Sequence, residues 1–361
     1  MSDETTGGAA AGAEPVLQAV HVTKHFAVRG GLPRRGATKR VVHAVEDVSL
    51  DLYAGRITAL VGESGSGKST LARLLAQLHP LTGGEIRLHG KPVRALRGKA
   101  FREHVRTVQL ILQDPFSSFN PVASIAGTLG RAVALHHRGK SGKERAAVID
   151  DLLTQINLVP PRQFTEKFPH ELSGGQLQRL SIARALAADP EVFLADEPVS
   201  SLDVSIRLGI LNLLRHLTED RNAAMLYVTH DIASARYFAA DTAVMYAGQV
   251  VEQGPSEAVT QQAAHPYTQL LIASAPDPSR AGADRVRDIG QPPSLIDPPA
   301  GCRFHPRCPF AMERCRTEGP RSFEISVGHT ARCWLYADDP EARARRAENA
   351  AAVEDLTAPA S

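Results

Sequence analysis

The sequence predicts an α/β domain built on a largely parallel sheet, with a helical insertion and a separate C-terminal extension. Three observations lead there. Short β-rich runs, clearest at Ile57–Val61, Val192–Ala195 and Met225–Thr229, alternate with longer segments of helical periodicity, the pattern of parallel strands joined by crossover helices. Between residues 114 and 180 that rhythm breaks: the apolar positions Ile149, Leu152, Leu153 and Ile156 recur at helical spacing with no strand between them. Near residue 255 the chain becomes rich in Pro and Arg and gathers all of its cysteines.

The composition narrows the possible roles. At 361 residues, 43% hydrophobic and 22% charged, the chain can fill one or two substantial cores, which excludes disorder throughout. Its 41 Lys and Arg against 39 Asp and Glu leave a formal charge of +2, without the clustered basic surplus that nucleic acid or an anionic membrane surface requires. No stretch approaches the roughly 20 apolar residues of a bilayer span, and the start MSDETTGGAAAGAEP lacks the basic and apolar regions of a signal peptide, so a cytosolic protein is expected. Residues 1–14 are small and polar and read as a disordered tail; residues 341–361, charged and Ala-rich, read as a second tail able to form a solvated helix. The segment Arg29–Arg40 carries Arg29, Arg34, Arg35, Lys39 and Arg40 among glycines and is expected to be a solvated loop.

Strand Ile57–Val61 runs into Gly62-Glu63-Ser64-Gly65-Ser66-Gly67-Lys68-Ser69-Thr70, followed by Leu71, Leu74, Leu75 and Leu78 at helical spacing. This is the pattern G-x-x-x-x-G-K-S in a strand, loop and helix setting. Its glycines let backbone N–H groups turn inward around phosphate oxygens, and the helix that follows directs its positive end at the same anion. Lys68 is expected to reach the β- and γ-phosphates and the Ser69 hydroxyl to coordinate Mg²⁺. By composition alone such a pattern arises on the order of once in a hundred chains of this length. Thr70 stands where a dinucleotide-binding loop would need its third glycine, and Gly139-Lys140-Ser141 is no second loop because Ala134 replaces the required glycine.

The run Val192–Ala195 ends in Asp196-Glu197, two carboxylates at the carboxyl end of a buried strand, the edge where ligands bind in such sheets. Asp196 suits a Mg²⁺ contact through water, and Glu197 then orients or deprotonates an attacking water; a turn-capping acidic pair before Pro198 is the plainer alternative. Leu172-Ser173-Gly174-Gly175-Gln176 precedes a helix carrying Leu180, Ile182, Ala183 and Leu186, so it is either a second anion-binding helix start or an ordinary one capped by Ser173. Cys302, Cys308, Cys315 and Cys333 match neither ferredoxin spacing nor zinc-ribbon pairs, and four thiolates suit a [4Fe–4S] cluster or tetrahedral zinc as well as free thiols, with His305 and His329 nearby as substitute ligands.

Taken together, Gly62–Thr70, Gln113, Leu172–Gln176, Val192–Glu197, Ser201-Leu202-Asp203 and His230 resemble, in order and spacing, the ATP-binding subunit of ABC transporters. The resemblance spans residues 15 to 335. The phrases GESGSGKST, QDPFSSFNP, ADEPVSSLDVS, HPYT at His265–Thr268 and GCRFHPRCPF look like the dipeptide/oligopeptide importer ATPases, and the insert Arg29–Arg40 resembles the second ATPase of such systems.

The resemblance implies a P-loop NTPase (RecA-like) core with an antiparallel β subdomain, an inserted helical subdomain and a small Cys-containing extension. In those terms residues 15–254 form the nucleotide-binding domain, with the helical subdomain at about 114–180, and residues 255–340 the importer-type extension. It implies an ATPase that powers uptake of peptides, or of another small solute such as a nickel chelate or glycoside, with a soluble non-transport ABC ATPase as the more distant alternative. ATP and Mg²⁺ are the implied cofactors, with a [4Fe–4S] cluster, or zinc, at the cysteines. Two such subunits pack head to tail, so Ser173, Gly174, Gly175 and Gln176 are expected to face ATP bound by the partner, while Asp203 communicates across the dimer. Glu197 is the implied catalytic base, His230 holds the γ-phosphate, and Gln113 contacts Mg²⁺ or its water. Phe26, in VTKHF, sits where the family keeps an aromatic that stacks on adenine, with His43 and Val42 as rivals. Leu177 stands where Arg or Lys often follows the signature, and Ser201 where Ala is usual. The implied partners are a second ATPase, a paralogue, two transmembrane permeases and an extracytoplasmic solute-binding protein, with no nucleic acid; the implied location is the cytoplasmic face of the cell membrane.

Overall fold

The computed structural model describes residues 13–28, 40–93, 97–137, 139–274 and 290–357, so the insert at Arg29–Arg40, apart from its last residue, and the tail expected at 1–14, apart from its last two, lie outside the described residues. The chain opens with β1 (Leu17–Ala27), β2 (Val41–Leu52), β3 (Ile57–Val61), α1 (Lys68–Leu75), β4 (Gly83–Leu88), β5 (Lys91–Pro92), α2 (Gly98–Thr107) and β6 (Val108–Ile111). Then come α3 (Ile125–His136), α4 (Gly142–Gln155), α5 (Arg162–Thr165) and α6 (Gly174–Leu186). Next are β7 (Val192–Asp196), α7 (Val204–Asp220), β8 (Ala224–Thr229), α8 (Ile232–Phe238), β9 (Asp241–Tyr246), β10 (Gln249–Pro255), α9 (Ser256–Gln261) and α10 (Pro266–Ala273). The chain closes with α11 (Arg314–Thr317), β11 (Phe323–Ser326), β12 (His329–Ala331) and α12 (Pro340–Thr357).

The main sheet has the order β11-β12-β10-β9-β3-β8-β7-β6. From β9 to β6 its neighbours run parallel, and β10, β12 and β11 continue it antiparallel. A second, antiparallel sheet has the order β2-β1-β4-β5. The parallel strands are apolar without alternation because both of their faces are covered. Ile57, Ala59 and Val61 of β3, Phe193 and Ala195 of β7, and Met225 and Tyr227 of β8 join one core, with the helices of 125–186 and α7. The intervening Leu60, Val192, Leu194, Leu226 and Val228 join the other, with α1 and the antiparallel sheet. Strand side chains that point alternately up and down therefore weld both layers to one sheet.

The expected strands are present, with β7 and β8 each one residue longer than the apolar runs suggested. The helical insertion holds no strand among its described residues. Ser141, from the false second loop, instead caps α4: its hydroxyl accepts the Glu144 N–H and the Glu144 carboxylate accepts the Ser141 N–H. The helix after the phosphate loop is shorter than its leucine spacing implies. It ends at Leu75, Gln77 turns into the left-handed region at φ 57, and Leu78 lies beyond it, exposed. In the C-terminal tail the helix α12 is not wholly solvated, since Ala342 and Asn349 are buried and the Arg346 guanidinium lies 5.7 Å from the Tyr336 ring centre.

Candidate active site

The phosphate loop leaves the carboxyl end of β3 and closes onto α1, whose first turn starts at Lys68. Two of its positions admit only glycine. At Gly62 (φ 158) a Cβ would sit 2.1 Å from the Met245 carbonyl oxygen, and at Gly67 (φ 107) 2.3 Å from that of Ala44. The loop is thus pressed against β9 on one side and β2 on the other. Lys68, buried, donates to the carbonyls of Gly62 (2.7 Å) and Glu63 (2.9 Å). Burial pushes its ammonium below the usual range, against the pull of the Glu197, Asp196 and Glu63 carboxylates. Ser66 is buried and Ser64 and Gly65 are exposed, while Thr70 follows Ser69 into α1.

Parallel pairing sets β3, β8 and β7 side by side, so whatever ends one strand lies beside what ends the next. The Ser69 hydroxyl, from α1, donates to the Asp196 carboxylate at 2.7 Å. Asp196 is buried; burial raises its pKa, opposed by the Ser69 hydroxyl and by Arg73 and Lys68. Hydroxyl and carboxylate are the oxygen pair that a hard divalent cation takes. Glu197 turns through φ 46, a left-handed conformation uncommon outside glycine, and its N–H donates to the Val228 carbonyl at 3.0 Å. That turn brings its carboxylate to 3.1 Å from Gln113 Nε2, just past β6, and to 3.5 Å from His230 Nδ1, just past β8. Two residues, 84 positions before and 33 positions after Glu197 in sequence, thus converge on its carboxylate, and the Glu197 side chain is 17% exposed.

Ser173 is the N-cap of α6: its hydroxyl accepts the Gln176 N–H at 3.3 Å and the Gln176 amide oxygen accepts the Ser173 N–H at 3.0 Å. The helix start has the geometry of an ordinary cap, with Ser173 exposed at its tip. Gly174 is half-buried and Gly175 buried against α7, where an added Cβ would meet Ile206 Cγ2 at 2.7 Å. Leu177 is fully buried, so the residue after the signature points into the core and its difference from the common Arg or Lys leaves the exposed face unchanged. Asp203 is the exposed N-cap residue of α7 and makes no side-chain capping bond there, and Ser201 is exposed beside it.

Phe26 lies half-buried near the end of β1, opposite Val42. The edge of His79 packs on it at 5.5 Å and Lys24 Nζ sits 4.8 Å from its ring centre. One rival aromatic, His43, is instead tied into a cluster in which a single oxygen of Glu46 faces His43 Nδ1 (2.8 Å), His25 Nε2 (2.9 Å) and Arg303 Nη2 (3.2 Å). Burial alone would raise the Glu46 pKa, but the histidine hydrogen bonds and the charge of Arg303 hold it below the usual carboxylate value.

The four cysteines are unpaired, with Cys315 and Cys333 buried, and all four line one small cavity with Phe304, Met312 and Leu335. Burial pushes their thiols up, to about 11 for Cys302 and about 12 for Cys308. Among the described residues the three ligand-type side chains that approach within 4.8 Å of one another are His25, His43 and Glu46, so no three cysteine sulfurs do.

Sequence reasoning left two residues of this neighbourhood without a role. The buried Tyr267 accepts the Glu63 N–H at 2.9 Å, and Arg307 grips both Glu63 carboxylate oxygens at 3.0 Å. Their only signal in the chain was the pair of phrases HPYT and GCRFHPRCPF, which marked the extension without saying what it touches.

A phosphate loop pressed between β9 of the parallel sheet and β2 of the antiparallel sheet, beside a carboxylate approached from two neighbouring strand ends, defines an ATP-binding cassette. Residues 45–200 match the family model described as ABC transporter, and residues 251–315 the one described as oligopeptide/dipeptide transporter, C-terminal region. The chain is 41% identical over 326 residues to a probable peptide ABC transporter ATP-binding protein y4tS of Sinorhizobium fredii, covering 90% of this chain and 91% of that protein. It is 37% identical over 332 residues to the oligopeptide transport ATP-binding protein AppF of Bacillus subtilis, covering 91% and 99%. Among solved structures it resembles the dimeric post-hydrolysis state of the ATP-binding cassette MJ0796 bound to ADP and Pi, with TM-score 0.58, 28% identity, 66% of this chain and 98% of that one. The chain belongs to the ATP-binding proteins of ABC transporters, in the oligopeptide/dipeptide branch.

Proposed function

We propose that this chain hydrolyses ATP to drive uptake of di- or oligopeptides across the cytoplasmic membrane. The observation that carries the reading is the Glu197 carboxylate, set by a strained turn between Gln113 and His230 at the strand edge that also bears the phosphate loop. The named relatives, peptide and oligopeptide transport ATP-binding proteins, supply the cargo.

ATP enters along the loop, and Lys68 transfers from the Gly62 and Glu63 carbonyls to the phosphates, exchanging two neutral acceptors for an anion. Phe26 presents its ring to the adenine. Ser69 and Asp196 would hold Mg²⁺, which when bound spreads the charge that develops on the phosphates. Glu197 orients water and takes its proton, Gln113 senses the ion and its water, and His230 steadies the γ-phosphate. Catalysis here is positioning and electrostatics, worth several powers of ten in rate.

The chain supplies half of each site. Among the described residues, Ser173 and Gln176 bond each other and make no bond to the loop Gly62–Thr70, and beside Asp203 the helix α7 leaves Val204 79% and Leu208 62% exposed. A second ATPase, a paralogue, covers that face, and Ser173 to Gln176 complete its nucleotide site. After Gln113, Phe116 and Val122 are exposed at 54% and 80%, a surface for the two permease subunits. No helix of the described residues is long and apolar enough to cross a membrane. The permeases carry the path, a solute-binding protein outside delivers the peptide, and this chain docks on the cytoplasmic face.

The cysteines hold a [4Fe–4S] cluster in this reading. A single zinc ion at its usual 2.3 Å would draw four sulfurs to about 3.8 Å of one another, closer than the 4.8 Å that no three of them meet. A four-iron cluster spreads its thiolates farther apart than one metal ion does, and all four cysteines line one cavity. It cross-links the extension and takes no part in hydrolysis.

The test is Glu197→Gln in the purified chain with its partner ATPase. MgATP binding persists and phosphate release ceases; release at the parental rate overturns the assignment.

A further inference from the structure

We propose that the C-terminal extension is a working part of the nucleotide site, with Tyr267 and Arg307 as positioning residues that hold the phosphate loop through Glu63. The inference rests on the ATP-binding reading of that loop and adds to it.

Glu63 belongs to the loop yet has a polar partner at every group. Its N–H donates to Tyr267 Oη at 2.9 Å, its two carboxylate oxygens take the two arms of Arg307 at 3.0 Å each, and its carbonyl accepts Lys68 Nζ at 2.9 Å. The residue on which the phosphate-binding lysine rests is therefore fixed from the extension, across 204 and 244 positions of sequence. Both hooks are rigid. Tyr267 is fully buried, tilted against Tyr246 with ring centres 4.4 Å apart and against Phe304 at 5.5 Å. Arg307 has an 8% exposed side chain, also donates to the Tyr246 hydroxyl at 3.3 Å, and lies over the Tyr246 and Phe304 rings. A two-armed guanidinium on a carboxylate fixes angle as well as distance.

A further link reaches the other end of the loop. Arg303 donates to the Ala247 carbonyl, in the turn between β9 and β10, and the next residue, Gly248, donates its N–H to the Ser66 carbonyl at 2.8 Å. The extension thus braces the loop at Glu63 directly and at Ser66 through that turn. A phosphate cradle of backbone N–H groups binds best when its shape is set before the anion arrives, because ordering it afterwards is charged against affinity.

The experiment measures the MgATP dissociation constant of the full chain, with the KM and kcat of the complex with its partner ATPase. Arg307→Met is expected to weaken MgATP binding about tenfold, the usual scale for losing a charge-assisted bond, with KM rising and kcat changing little. Tyr267→Phe, which removes one hydroxyl, is expected to weaken it about fivefold. In a Glu63→Ala background, which leaves Arg307 no side chain to hold there, Arg307→Met is expected to add less than about twofold. A structural role in the extension alone would lower the active fraction and leave KM and the dissociation constant unmoved. Parental affinity in Tyr267→Phe, or an undiminished Arg307→Met effect without Glu63, overturns the proposal. Should Arg307→Met not fold, the Tyr267→Phe value decides. Lys68→Ala separates the two claims: if it binds MgATP as the parent does, the nucleotide reading itself fails; if it alone loses binding, only the brace fails.

Discussion

Gly174 and Gly175 stand side by side in the signature, and the structure separates them. A methyl group on Gly174 would meet Leu202 Cδ2 at 3.6 Å, an ordinary contact. On Gly175 it would meet Ile206 Cγ2 at 2.7 Å, at least 0.7 Å short of an ordinary 3.4 Å contact, where α6 and α7 pack. Either change to alanine removes glycine's unfolded-state entropy and gains about 0.5–1 kcal/mol in a helix. For Gly174→Ala that gain stands alone. For Gly175→Ala it is set against about 1–3 kcal/mol of overpacking as Ile206 is displaced. The expected difference is about 2 kcal/mol, or about 3 °C in melting temperature for a chain of this length. Scanning calorimetry of the isolated, nucleotide-free chain reads it without interference from a partner's ATP. Melting of Gly175→Ala at or above that of Gly174→Ala would refute the packing argument.

Three further outcomes are expected. Ser69→Ala strips the hydroxyl from the buried Asp196, and is expected to weaken Mg²⁺ dependence of ATP hydrolysis about tenfold or more while nucleotide binding in EDTA stays parental; an unchanged Mg²⁺ titration counts against the site. Glu46, held below its usual pKa by His43, His25 and Arg303, contributes stability that is full above the unfolded value of 4.5 and is lost as pH falls through the lower folded value. Parent and Glu46→Gln should therefore converge in acid melting curves below pH 4.5, and parallel curves would deny the carboxylate that role. Anaerobically purified protein should contain four irons and four sulfides per chain, lost in Cys333→Ser; zinc or no metal in the parent protein excludes the cluster.

Much of the architecture was legible because its signals are local. β3, β7 and β8 are short apolar runs covered on both faces, and α4 carries Ile149, Leu152 and Leu153 on one buried side. The phosphate loop is a contiguous motif whose glycines answer to close backbone contacts at Gly62 and Gly67. What stayed hidden depends on contacts between distant segments. β12 is three residues long and gains its place by pairing with β10 on one side and β11 on the other. The left-handed turn at Glu197 follows from its N–H reaching Val228, a partner on another strand. Leu177 was conspicuous as a departure from a pattern, yet its burial removes it from the surface where the difference would have counted. The grip of Tyr267 and Arg307 on Glu63 has no periodicity or spacing to announce it, because the three residues meet only after the extension has folded back onto β9 and β10.

Central to the proposed action is a nucleotide closed between two subunits, each supplying what the other lacks. Light scattering of the Glu197→Gln chain mixed with its partner ATPase, before and after MgATP, tests this most directly. The expected result is a one-to-one complex that forms only with MgATP and fails to form when Ser173→Arg blocks the signature face. MgATP bound by chains that remain monomeric, or a complex indifferent to Ser173→Arg, would contradict it.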